Sequence, residues 1–335
     1  MPTATIHTDP RLPAACGPLS ATVCGLLRRP AGAAPEPIPP TTDIDPYGRD
    51  LQLALYVCYE LHYRGFTDVD PGWEWDVTLL GLRTQLEHAF LDRVRGDVGV
   101  IPPHATADAE MDVAATEPVH GAGPSWYLRD HGTWEQAREY FVHRSLYHLK
   151  EGDPHAWMIP RLTGQAKASF VAIEFDEYGA GRGPRVHQQL FADLLTAAGL
   201  DAGYLAYLDV VPAESLAVVN LMSLFGLHRR WRGAAAGHFA ATEITSPPGS
   251  SRLVAALRRM GAPELCVAFY AEHVEADAVH EQVARNDVIG DLLDRNPHLE
   301  TDVVFGIRAL GAVENRLSEV MTSAWSAGRS SLLTT

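Results

Sequence analysis

At 335 residues the chain can bury a large core, as one large domain or two smaller ones, and its formal net charge of −15 argues against nucleic acid and anionic membrane surfaces as partners. Four cysteines, Cys16, Cys24, Cys58 and Cys266, show neither metal-site nor redox spacing and read as unpaired thiols in a reducing compartment. No apolar run is long enough to span a bilayer and no basic start precedes an apolar core, so a cytoplasmic protein is expected.

Residues 1–46 are rich in Pro, Ala and Thr and include Pro-Glu-Pro-Ile-Pro-Pro, which predicts an extended or disordered arm, because proline lacks an amide donor and clashes with the preceding turn. Residues 47–64 carry apolar side chains at helical spacing, and Gly65 ends that helix. A second helix is predicted over about 75–95. Residues 100–132 hold Pro102, Pro103, Pro118, Gly121, Gly123 and Pro124 and read as a long connection. Helices and connection over 47–132 form an accessory part of one domain with residues 133–330. From Thr133 the spacing predicts helices over 134–151, 157–179, 186–199, 212–226, 228–245, 250–260, 263–295 and 299–325. Breaks are expected at Asp153-Pro154, from Gly179 to Pro184, and at Ser246-Pro247-Pro248-Gly249. No strand alternation is sustained. The expected fold is an all-α bundle of about seven core helices over 133–330, with two accessory helices in front.

His273, Asp277 and His280 fall at i, i+4 and i+7 and share one helical stripe. Imidazole, carboxylate and imidazole suit iron, manganese or zinc. A single helix cannot surround a metal, so further ligands must come from elsewhere. Glu174 and Glu177 share a face of an otherwise apolar helix, and His187 lies beyond a glycine-rich break. Glu151 ends the preceding helix, just before a loop that contains His155. Glu243 is a lone acid in an apolar stretch. A carboxylate in such surroundings is expensive to bury unless something compensates its charge. Taken singly, each of these residues is more often a solvated, capped or ordinary core side chain. Spacing alone therefore leaves a metal cluster and a scatter of unrelated polar residues evenly balanced. A ferritin-like site needs two Glu-x-x-His pairs on helices, and the one such pair, Glu117–His120, sits in a Pro- and Gly-rich connection. The pattern His-Glu-x-x-His is absent.

Over roughly residues 47–325 the chain resembles the haem-oxygenase-like diiron oxidases, also described as iron-containing redox enzymes. The most specific part is His-x-x-x-Asp-x-x-His, met by His273, Asp277 and His280. The pattern of a Glu before a glycine-containing break and then a His is met by Glu177 and His187. Glu151 and Glu243 fill the two remaining positions, and the stretches Tyr-Glu-Leu-His-Tyr-Arg-Gly-Phe and Trp-Glu-Trp-Asp are also similar to bacterial members. The resemblance implies a haem-oxygenase-like bundle holding two Fe(II) ions rather than haem. One iron would take Glu151, His187 and His280, and the other Glu177, His273 and Asp277. Glu243 would bind or bridge on oxidation, which makes it the catalytic candidate. O₂ is the implied co-substrate, and an external electron donor such as a reductase, or a homodimer, is compatible with the pattern.

The resemblance further implies a small-molecule substrate, in natural-product biosynthesis. A small, aliphatic amino acid is favoured, because the Ala- and Gly-rich stretch 213–243 suits close helix packing better than a long acyl tunnel. Its carboxylate would need a buried cation, for which Arg308, Arg161, Arg182 and Arg185 are candidates, with Lys167 behind them. Phe170, Ile173, Leu221 and Phe225 are pocket candidates that read equally as core. C–H oxidation or desaturation, leading on to C–N or C–C bond change, is the expected reaction. N-oxygenation of an amino-acid-derived amine and a fatty-acid or amino-acid desaturase-lyase are the alternatives. Two other classes, a non-enzymatic metal-binding bundle and a thiaminase-like enzyme using Cys266, are weaker.

Overall fold

A computed structural model of the protein describes residues 10–33, 44–118 and 120–334, and of residues 276–278 only the backbone. The described residues form helices and turns with no strand. In chain order the helices are α1 (Pro18–Leu27), α2 (Arg49–Glu60), α3 (Val77–Val98), α4 (Ala107–Ala115), α5 (Pro124–Asp130), α6 (Trp134–His148) and α7 (Asp153–Ala156). They continue as α8 (Gly164–Glu177), α9 (His187–Ala197), α10 (Ala213–Leu227), α11 (Arg232–Met260), α12 (Glu264–Val283), α13 (Gly290–Arg295) and α14 (Glu300–Ser326). Local chemistry sets many of their ends. Asp76 caps α3 by accepting from the amides of Thr78 and Leu79. Thr133 and Gln136 cap α6 reciprocally. Gly261, at φ +68°, closes α11 in the left-handed region.

The central helix is α11, which packs along both α12 and α14. It comes very close to α14. A Cβ on Gly237 would stand 2.1 Å from the carbonyl oxygen of Val303, and one on Gly306 would stand 2.0 Å from that of Ala234. Only glycine permits this backbone approach. Helix α10 packs on α2 and α14, and α12 on α9, so the accessory helices share the core of the bundle. No helix among the described residues is long and apolar enough to cross a membrane.

Four expectations are corrected. The arm expected over 1–46 contains α1, whose Leu19, Val23, Leu26 and Leu27 are buried. These fall at i, i+4, i+7 and i+8, a helical stripe outweighed in the sequence by neighbouring prolines. Pro18 sits in its first turn, and Asp50 of α2 accepts from the amides of Leu19 and Ser20 at 2.9 and 2.8 Å. The connection over 100–132 holds α4 between its prolines and α5, which begins at Pro124. The helix expected from 157 begins at Gly164, after a 3₁₀ turn over Ile159–Arg161. Finally, α11 runs through Pro247 and Pro248, where the sequence suggests a break. Each proline removes one i→i−4 bond. The carbonyls left without a helical partner are those of Glu243 and Ile244, and burial between α12 and α14 carries the helix on.

Candidate metal centre

Five segments bring carboxylates and imidazoles to one place. Glu151 lies in the turn after α6, Glu174 and Glu177 on the last turns of α8, His187 at the first position of α9, Glu243 in α11, and His273 and His280 in α12. All seven are buried. Asp277 belongs to the same helix as the two histidines, and its side chain lies outside the described residues. Two glycines make the convergence possible. Gly152, at φ +87°, reverses the chain directly after Glu151. Gly179, at φ +69°, lets the turn after α8 fold so tightly that a Cβ there would stand 2.6 Å from the backbone of Arg185 and Val186. This return sets His187 against Glu177.

The polar atoms form two groups that share one carboxylate. Donor atoms of Glu151, His187 and His273 lie within 4.8 Å of one another. His273 Nε2 is 3.6 Å from Glu151 Oε1, and His187 Nδ1 is 4.0 Å from Glu151 Oε2. His280 Nδ1 is 3.4 Å from Glu243 Oε2. Glu177 reaches both groups, with Oε2 2.7 Å from His187 Nδ1 and Oε1 3.6 Å from His280 Nδ1. In this arrangement His273 lies nearest Glu151 and His187, and His280 faces Glu177 and Glu243. The two histidines are two turns apart on α12, so each meets a different neighbour.

Hydrogen bonds fix which nitrogen of each ring faces inward. His273 Nδ1 donates to the carbonyl of Phe269 at 2.8 Å, leaving the lone pair of Nε2 toward the cluster. His280 turns Nε2 to Asp176 at 3.3 Å and Nδ1 inward. His148 Nδ1 donates to Glu151 Oε1 at 2.9 Å and orients that carboxylate. Burial pushes the Glu151 carboxyl up, but His148 and His273 overcome it and hold the group well below its ordinary range. His187 is raised overall, because Glu177 outweighs the opposing effect of burial. Glu174 goes the other way: burial, Glu177 and Glu243 push its carboxyl well above the ordinary range, and neither of its oxygens has a hydrogen-bond partner.

These residues fit a bound metal. Bonds of roughly 2.1 Å place the donors of one metal about 3–4 Å apart, close to the separations found here. Glu151 Oε2 is buried without a hydrogen-bond partner, a costly state that a cation relieves. Imidazole and carboxylate, with no sulfur, suit iron.

A cavity of about 540 Å³ adjoins the cluster. Tyr147, His148, Glu151 and His273 line it, together with Arg144 and Glu314. Arg144 donates to both oxygens of Glu314, at 2.6 and 2.7 Å. The arginines singled out in the sequence do not line this cavity. Arg308 pairs with Glu110 of α4, Arg161 donates to the carbonyl of Leu227 at 2.8 Å, and Arg182 is exposed. Phe170, Ile173, Leu221 and Phe225 belong to the core. Two features escape a reading of the sequence. His148 and Arg144 precede Glu151 by three and seven residues and so share its face, a signal that the spacing does carry. Lys150 is fully buried, with Nζ 2.8 Å from Glu60 Oε2 and over the rings of Tyr56 and Tyr63, and nothing in its local sequence marks it.

A family model of iron-containing redox enzymes matches residues 138–314, more than half of the chain, from within α6 to within α14, and that span carries the cluster. The chain belongs to that family. It has the all-α, haem-oxygenase-like fold, and the buried cluster is where this redox enzyme would hold iron. One similar relative is a nitrosourea synthase of Streptomyces achromogenes subsp. streptozoticus, 24% identical over 158 residues. That match covers 47% of this chain and 34% of the relative, so the chain spans about a third of the relative's length.

Proposed function

We propose that the protein is an O₂-dependent non-haem diiron oxidase that acts on an amino acid in natural-product biosynthesis. The observation that carries this reading is Glu177, whose two oxygens face the imidazoles of two different groups beside a substrate-sized cavity. Glu151, His187 and His273 would hold one iron, and His280, Glu243 and Asp277 the other. When bound, two ferrous ions supply the electrons that activate O₂. His148 and the Phe269 carbonyl keep Glu151 and His273 in their binding orientation. Glu243, set apart on α11, is the carboxylate best placed to add negative charge as the irons are oxidised.

The cavity exceeds what a small aliphatic amino acid fills. Arg144 lies on α6 and Glu151 in the turn that follows it, and both line the cavity. A zwitterionic head group on the Arg144–Glu314 pair, carboxylate to the guanidinium and ammonium to the carboxylate, would direct its side chain toward the irons. Between oxidation at C–H and at nitrogen, the relative's name favours nitrogen.

The test is anaerobic loading with Fe(II), then mixing with O₂ and a panel of amino acids, with products read by mass spectrometry. Gain of one oxygen from ¹⁸O₂ on nitrogen supports the favoured reaction, and loss of two hydrogens supports C–H oxidation. O₂ consumption that no amino acid accelerates refutes the substrate class.

A further inference from the structure

A second histidine cluster lies outside the metal centre. His155 in α7, Met158 in the turn after it, Met222 in α10 and His238 in α11 line one small cavity of about 10 Å³. Both imidazoles are buried, and Nε2 of each has no hydrogen-bond partner. The ring centroids are 6.0 Å apart, with planes inclined at 57°. Gly226 draws these elements together, since a Cβ there would stand 2.5 Å from the carbonyl of Pro154. Two orphaned imidazoles around one shared space are costly unless an occupant satisfies both. The space suits a single small occupant, since one water needs about 10–15 Å³ by such a measure.

We propose that His155, His238, Met158 and Met222 form a binding site for one soft monovalent cation, Cu(I). Two nitrogen–metal bonds of about 2.0 Å, added to the roughly 1.2 Å from each nitrogen to its ring centre, span about 6 Å when slightly bent. That is the spacing observed. Thioether sulfur selects Cu(I) over the harder divalent ions. No carboxylate or thiolate lines the cavity among the described residues, so nothing there balances a double charge. Burial lowers His155 to about 4, against a small opposing effect of Glu151. Burial and then His155 lower His238 to about 3, so both rings are neutral and keep a lone pair for a metal. Met222 also lines the large cavity and separates the two spaces.

The test uses the full chain, first loaded with Fe(II) under anaerobic conditions so that the carboxylate-rich centre is filled. Cu(I) is then titrated against a coloured Cu(I) chelator, and the bound copper is examined by X-ray absorption. The expected result is one Cu(I) per chain withheld from the chelator, with nitrogen and sulfur neighbours. His238→Gln should weaken binding at least 100-fold, and Met158→Leu should remove part of the sulfur signal. No copper withheld, or copper with oxygen and nitrogen neighbours alone, overturns the site and leaves one bridging water as its occupant. If His238→Gln does not fold, Met158→Leu decides, because an unchanged sulfur signal also overturns it. None of these readouts depends on the proposed oxidase reaction.

Discussion

Oε2 of Glu177 stands 2.7 Å from Nδ1 of His187, while the second oxygen of the same carboxylate faces His280 at 3.6 Å. One side chain thus spans both halves of the centre. Glu177→Ala should reduce iron in both positions, with bound iron falling to well below half of wild type. Glu243→Ala should keep about half or more of its ferrous iron and lose turnover, because it removes a ligand from one group alone. Iron content after gel filtration, measured beside helicity, checks the contrast. Equal iron in Glu177→Ala and wild type would refute the bridge.

Arg144 should set substrate affinity. Arg144→Lys keeps a charge opposite Glu314 but loses the two-point geometry. The expected change is a KM raised about 10-fold or more, roughly 1.4 kcal/mol, with a smaller change in kcat. Arg308→Lys, at a pair that does not line the cavity, should leave KM near wild type. Steady-state kinetics on both variants separates the two arginines.

Stability should fall with acid in part through His143, alongside the similarly buried His155 and His238. The His143 ring is buried between the hydroxyls of Ser215 and Ser331, at 2.9 and 2.8 Å. Burial, then Arg144, lowers it from 6.5 to about 3. The unfolded chain takes up the proton near pH 6.5, whereas the folded one does so only near 3. The contribution is therefore complete above 6.5 and is lost as pH falls from 6.5 toward 3, by about 5 kcal/mol. His143→Gln should flatten this part of the stability profile. Urea titrations at pH 7, 5 and 4 check it, and a slope identical to wild type would exclude His143 as a source.

The pair Lys150–Glu60 should behave as a buried charge pair. Lys150→Met leaves the Glu60 carboxylate buried, facing the hydroxyl of Tyr204 at 2.7 Å but no cation, and should cost about 3–5 kcal/mol. Lys150→Met combined with Glu60→Leu should recover much of that loss. Chemical denaturation of both variants measures the difference. A double variant no more stable than the single one would assign the cost to packing.

How far the sequence reveals the fold and the centre depends on the range of each interaction. Helical periodicity is local, so the helices from α6 onward are legible with shifted ends, and His273 and His280 stand out as one stripe. The turn from Glu177 to His187 is visible through its glycines. Which histidine meets which carboxylate is not, because that depends on how α8, α9 and α11 stack around α12. Arg308 looks like a buried cation in an apolar helix because its partner, Glu110, lies on α4, where prolines suggest loop. The Pro247-Pro248 pair misleads for the complementary reason: packing on both flanks of α11 outweighs a local penalty.

The contact between Gly237 and α14 bears on the buried cluster although neither glycine belongs to it. Glu243 lies six residues beyond Gly237 on one unbroken helix, about 9 Å along its axis. Where α11 rests against α14 therefore decides how far its carboxylate leans toward His280. A methyl group at Gly237 or Gly306 would wedge the two helices apart and carry Glu243 with it. The reach of this ligand is thus gauged by two missing side chains, at positions with no chemistry of their own.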